Sequence, residues 1–133
     1  MILTKGGKRA ERDFDLLTKT DKFGVTLTCL DNNESLKWES GAALPIERIE
    51  SLKNAHKLGV LTWVSLEPVI NPDTSLKIIR QTHEFVDLYK VGKMNYHPIA
   101  KTIDWNKFGN DAINLLNSLE KEYYIKDDLK KFL

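Results

Sequence analysis

The run Val60-Leu61-Thr62-Trp63-Val64-Ser65-Leu66-Glu67-Pro68-Val69-Ile70, closed by Asn71-Pro72-Asp73, decides the fold class. It is dense in β-branched and aromatic residues, the composition of a strand buried on both faces. The period then changes: Leu76, Ile79, Thr82, His83 and Val86 recur at three- and four-residue spacing, which is one face of a helix. No two- to five-residue hairpin turn intervenes, so the strand is expected to cross over to a parallel neighbour.

The same unit repeats on either side. Upstream, Gly24 to Leu30 reads as a strand. A polar loop Asp31-Asn32-Asn33-Glu34-Ser35, a Trp38-bearing stretch to Ala43 and a helix opened by Pro45 follow it. Ile49, Leu52 and Ala55 face inward on that helix, and Gly59 is its left-handed cap. Further upstream, Met1-Ile2-Leu3-Thr4-Lys5 is a strand closed by Gly6-Gly7, and a helix runs from about Arg9 to Thr18 with Ala10, Asp13, Phe14 and Leu17 on one side. Downstream, Leu88 to Asn95 is the fourth strand. After His97-Pro98 comes the clearest helix, with Asp104 as N-cap and Trp105, Phe108, Ala112, Leu115, Leu116 and Leu119 as its apolar stripe. Tyr123-Tyr124-Ile125 adds a short extended piece before a charged tail. Four consecutive βα units over residues 1–133 predict a single α/β domain with parallel strands, a partial (half) TIM-type barrel. A closed barrel takes eight strands and about 250 residues, and a four-stranded open sheet is the alternative architecture.

Composition narrows the function classes. With 41% hydrophobic residues in 133, the chain builds an ordinary core and is neither a disordered tail nor a fibre. The 20 Lys and Arg against 19 Asp and Glu give no global field toward nucleic acid or an anionic membrane. Cys29, the one cysteine, excludes an intramolecular disulfide framework and any metal site held by several thiolates of this chain, and a reducing cytoplasm is the expected location. No apolar run approaches the roughly 20 residues of a membrane span, so no membrane partner is expected. His56, His83 and His97 fit no metal-ligand spacing, and Gly6-Gly7-Lys8-Arg9 lacks the phosphate-loop pattern.

Polar residues inside fully covered parallel strands need a reason, and here they sit toward the carboxyl ends. Lys5 ends the first strand, Thr26 and Thr28 share a face of the second, Ser65 and Glu67 of the third, and Lys93 and Asn95 of the fourth. Ligands collect at the carboxyl ends of parallel strands, so the pattern predicts one rim for a polar or anionic small molecule. Each residue taken singly is equally a last solvated strand position; the repetition over four strands carries the expectation.

These residues resemble a known family. Ile2-Leu3-Thr4-Lys5, Arg9-Ala10-Glu11-Arg12-Asp13, Gly24-Val25-Thr26-Leu27-Thr28, Thr62 to Ile70, Lys90-Val91-Gly92-Lys93 and Tyr123-Tyr124-Ile125-Lys126-Asp127-Asp128-Leu129 occur in this order. Together they are similar to the C-terminal portion of radical SAM proteins of the spore photoproduct lyase or DNA repair photolyase-like type. The resemblance implies a (βα)6-type partial barrel that binds a four-iron-four-sulfur cluster on a CxxxCxxC loop and S-adenosylmethionine. It implies S-adenosylmethionine contacts for Lys5 (methionine carboxylate), Thr28 (ribose), Ser65 and Glu67 (adenosyl moiety), while Thr26, Lys93 and Asn95, from the strand-end pattern, are left as the substrate rim. The CxxxCxxC loop is absent from this sequence, so the expectation is a C-terminal part lacking the cluster-binding half and inactive alone. Its expected partner is a separate N-terminal half-barrel or a second copy; nucleic acid is a partner by resemblance, without support from the charge. The other expectation is a non-catalytic α/β module that works by self-assembly or by pairing its open strand edges with another half-barrel.

Overall fold

In a computed structural model, which describes residues 2–18 and 20–133, five strands lie side by side in sequence order with every pairing parallel. They are β1 (Ile2–Thr4), β2 (Lys22–Thr26), β3 (Leu61–Ser65), β4 (Leu88–Val91) and β5 (Glu122–Ile125). The helices between and after them are α1 (Asn32–Trp38), α2 (Pro45–Lys57), α3 (Pro72–Thr82), α4 (Trp105–Ser118) and α5 (Asp127–Lys130). Sequential order means that each crossover steps the same way, and with a constant hand the helices fall on one face of the sheet. This is the winding of a barrel wall, not of a doubly wound sheet.

The register fixes which side chains face the helices. Leu3, Gly24, Trp63, Leu88 and Glu122 form one row across the five strands, and residues two apart share its face. The alternate residues Phe23, Val25, Val64, Tyr89 and Val91 are buried in one core with Ile49 and Leu52 of α2, Ile78 and Ile79 of α3, and Phe108 and Leu116 of α4. The helix-free face is of another character. Leu3, Leu61 and Tyr124 are 50%, 41% and 52% exposed, whereas Trp63 is buried with its indole lying over Gly24 and the Lys90 ammonium 4.5 Å from its ring centre.

Local signals account for most boundaries. Asp104 Oδ1 accepts from the Lys107 amide at 3.0 Å, Asn71 Oδ1 from the Asp73 and Thr74 amides, Pro45 opens α2, and Gly59 takes φ +80° after its end. Several expectations are corrected. Among the described residues there are five strands, not four: Tyr123-Tyr124-Ile125 lies in an edge strand paired with β4, in which Glu122 and Tyr124 are exposed and Tyr123 and Ile125 half-buried. Residues 7–16 form a 3-10 helix, and α3 stops at Thr82, where a 3-10 turn (His83–Phe85) replaces the expected continuation to Val86. Asp31 to Ser35 is no loop: Asp31 Oδ1 caps the Glu34 amide at 3.0 Å and α1 begins. Met1 and the side chain of Asp13 lie outside the described residues.

Strands two to four also end earlier than the apolar runs suggest. Single bonds prolong the ladder, Leu27 N to Ser65 O and Leu66 N to Lys90 O, and then the backbone turns outward. Thr28, Glu67, Lys93 and Asn95 therefore stand just past the strand ends.

Candidate functional site

The carboxyl end of the sheet is built around a buried charge pair. Arg48 of α2 is wholly buried; its Nη2 donates to Glu39 Oε2 at 2.5 Å and to Ser35 Oγ, and its Nη1 donates to Thr26 O at 2.6 Å. The pair ties α1 and α2 to the last residue of β2. On its outer side Lys5, just after β1, brings Nζ to 3.4 Å from Glu39 Oε1. Burial pushes the Glu39 carboxyl up, but the hydrogen bond and charge of Arg48 outweigh it and hold the group below the usual carboxylate range. Lys5 was legible as a rim residue, whereas Glu39 and Arg48 were missed. The available signal was Arg48 itself: Pro45, Arg48, Leu52 and Ala55 form one buried stripe, and a cation in such a stripe requires a partner.

Beside this pair, Thr26 and Ser65 are register partners on adjacent strands, both buried on the helix-free face. Thr28 is buried with its Oγ1 3.7 Å from Cys29 Sγ. Glu67 reaches toward the last two strands. Its Oε1 accepts from Lys126 Nζ at 2.9 Å, and its carboxylate lies over Gly92, in space that a Cβ there would enter, so a larger residue at 92 displaces the carboxylate. Glu67 Oε2 is buried without a hydrogen-bond partner among the described residues. The sequence does not single out Lys126 as a site residue, because its partner Glu67 lies 59 positions away.

Lys93 and Asn95 are drawn elsewhere. Lys93 Nζ donates to Met94 O and Asn95 Oδ1 and lies 5.1 Å and 5.5 Å from the Trp105 and Phe132 ring centres, on the helical side. Asn95 Nδ2 donates to Asp128 Oδ2 at 2.7 Å. Lys5, Thr26, Thr28, Ser65 and Glu67 thus share the carboxyl end of the first three strands, and the structure does not bring Lys93 and Asn95 onto the same face.

A cleft of about 530 Å³ opens next to Thr28. Its floor is Thr28, Cys29 and Ile70, its walls are α1 with Glu34, Lys37 and Trp38 and α3 with Thr74 and Lys77, and Leu30, Asp31, Asn71 and Ile99 complete it. Trp38 donates from Nε1 to Glu34 Oε2 at 3.2 Å and meets the His97 ring edge-on with centres 5.0 Å apart. Burial pushes the Cys29 thiol up, so it is no thiolate nucleophile at neutral pH. Among the described residues no group of three His, Cys, Asp or Glu side chains is placed to hold a metal ion, and no helix is long and apolar enough to cross a membrane.

No family model matches the chain, and no curated protein is similar to it in sequence. Solved structures are similar in fold. Streptococcus suis SuiB bound to S-adenosylmethionine superposes with a TM-score of 0.74 at 12% identity over 98% of this chain and 34% of SuiB. SuiB bound to its precursor peptide SuiA superposes with a TM-score of 0.67 at 13% identity over 90% of this chain and 30% of SuiB. The chain therefore spans about a third of SuiB and shares with that portion an α/β fold with parallel strands, the fold of a protein that has been captured with S-adenosylmethionine.

Proposed function

We propose that this chain is part of a radical SAM-type barrel, similar to the spore photoproduct lyase and DNA repair photolyase group, and that its strand ends form one side of an S-adenosylmethionine site. The observation that carries the reading is Glu67. A buried carboxylate oxygen without a donor is costly, and Glu67 Oε2 stands so at the end of β3, beside Lys126 and over Gly92. A ribose hydroxyl or an ammonium group is the donor this oxygen takes once the side chain turns out from Gly92, where the oxygen is covered. Lys5 is 45% exposed and keeps ammonium donors beyond its contact with Glu39, which suits it to a ligand carboxylate. Thr28 and Ser65 add hydroxyls between the two. The residues do not fit the four-iron-four-sulfur cluster, because Cys29 is the single thiol of the chain. Radical chemistry accordingly requires a separate cysteine-bearing half, and the chain alone is inactive. Near-zero net charge lends nucleic acid no support as the substrate, and a cytoplasmic setting fits the single buried thiol.

Equilibrium dialysis of the full chain against S-adenosylmethionine tests this. Saturable binding is expected, weakened about tenfold by Glu67→Gln, the scale of one hydrogen bond to a charged group. Absence of saturable binding up to millimolar ligand, or equal affinity in wild type, Glu67→Gln and Lys5→Ala, overturns the reading.

A second reading, assembly through the open face and edges, is favoured by one observation: Leu3, Leu61 and Tyr124 stand exposed on the helix-free face, and β1 and β5 each pair with one neighbour only.

A further inference from the structure

We infer that the cleft between α1 and α3 is a second small-molecule site, one that takes a planar aromatic or heteroaromatic anion. The inference does not rest on the S-adenosylmethionine reading, although the cleft meets that proposed site at Thr28, which the two share. At about 530 Å³ the cleft has the size of an ordinary ligand pocket, and it opens beyond the carboxyl ends of β2 and β3, where parallel α/β folds place their ligands.

The chemistry of the walls selects the ligand. Ile70, Leu30, Ile99 and the Trp38 indole make an apolar slot. Trp38 is pinned at two points, by its hydrogen bond to Glu34 and by the edge of His97, so the ring is oriented before any ligand arrives. The two acids of the cleft are already engaged: Asp31 caps the first turn of α1, and Glu34 holds Trp38. Both also lie at the amino end of α1, whose amide dipoles offset their charge. The two cations hold no such hydrogen bond, although the Lys37 ammonium lies over the Trp38 ring, 5.9 Å from its centre, on the face a ligand ring would share. Lys37 and Lys77 come from opposite walls, and neither makes an ion pair among the described residues. The formal charges of the cleft cancel, but both carboxylates already accept from donors of the fold, so the polar groups left to meet a ligand are the ammonium groups and the Thr74 hydroxyl. A flat ring against Trp38 with one carboxylate or phosphate reaching Lys37 and Lys77 satisfies the slot and the cations together.

The indole N–H resonance of Trp38 reports occupancy in the full chain, because Trp63 and Trp105 are both buried and it is the remaining tryptophan. Adenosine 5′-monophosphate and indole-3-acetate are titrated as phosphate and carboxylate probes, against uncharged adenosine and tryptophol. Saturable shifts of the Trp38 and Thr74 signals by at least one anion are expected, weaker for its uncharged parent. Lys77→Ala is expected to lower that affinity about threefold to fivefold, while Lys57→Ala, exposed at the far end of α2, leaves it unchanged. If both anions shift the signal, the site recognises negative charge generally; if one does, the responding probe names the acid group. Equal binding of anion and uncharged parent, equal effects of the two lysine variants, or displacement of the probe by S-adenosylmethionine overturns the inference. Glu67→Gln, at a residue that does not line the cleft, separates the two sites: its failure to weaken S-adenosylmethionine binding counts against that reading alone.

Discussion

Arg48 Nη2 lies 2.5 Å from Glu39 Oε2, and the two side chains are 0% and 3% exposed, so α1, α2 and the end of β2 are joined by an ion pair out of reach of water. Removing Arg48 leaves the buried Glu39 carboxylate with only the longer contact to the half-exposed Lys5. Arg48→Met is expected to cost about 3–5 kcal/mol, read as a lower urea midpoint, whereas Arg48→Met with Glu39→Leu recovers most of that loss. A double variant no more stable than the single one would show that the pair contributes more than mutual neutralisation.

The same pair sets a pH dependence. The Glu39 carboxyl titrates lower in the folded chain than its ordinary value of 4.5, so its contribution to stability is present above that value and is lost as pH falls through the folded one. Urea midpoints measured from pH 6 downward are expected to fall less steeply in the double variant. Parallel curves would assign the acid limb to other carboxylates.

Gly24 and Trp63 make a second dependence, on the open face. A Cβ at position 24 runs into the Trp63 indole, so the ring has to shift. Gly24→Ala is expected to destabilise by about 1–3 kcal/mol, an overpacking cost. In a Trp63→Leu background the same change should cost little, which a double-mutant cycle measures.

Much of this was legible in sequence because it is local. The helix of Trp105 to Leu119 has a full apolar stripe and an Asp104 cap, and both signals are internal to one segment. The strand cores at Val25, Val64 and Val91 are likewise readable from runs of β-branched residues. What escaped depends on distant partners. Glu122 to Ile125 becomes a strand by pairing with β4, and Arg48 is meaningful only once α2 is packed against Glu39 and Thr26. The candidate rim divided on the same principle. Lys5, Thr26, Thr28, Ser65 and Glu67 follow strand alternation, but Lys93 and Asn95 lie after β4 ends, where aromatic rings of α4 and the C-terminal tail redirect the lysine.

Asp104 gives a prediction independent of the site. Its Oδ1 satisfies the Lys107 amide at 3.0 Å at the head of a 14-residue helix. Asp104→Ala is expected to cost about 1 kcal/mol, roughly 3–5 °C in thermal midpoint for a chain of this size. Asp104→Asn should retain most of it, because the amide oxygen caps equally well; equal loss in both would place the effect in charge and not in the cap.

Assembly is decided by the open edges. Among the described residues β1 and β5 each pair with a strand on one side alone, and Leu3, Leu61 and Tyr124 present apolar surface on the face without helices. If two copies close on each other, light scattering over a concentration series should give a species of twice 15.3 kDa. Leu3→Lys, which puts a charge on the edge strand, should return it to the monomer without lowering the thermal midpoint. A wild-type mass of 15.3 kDa at every concentration excludes self-assembly in that range. The same faces are then left for a different chain, and mixing with a CxxxCxxC-bearing half-barrel becomes the experiment, with a 1:1 complex as its expected product.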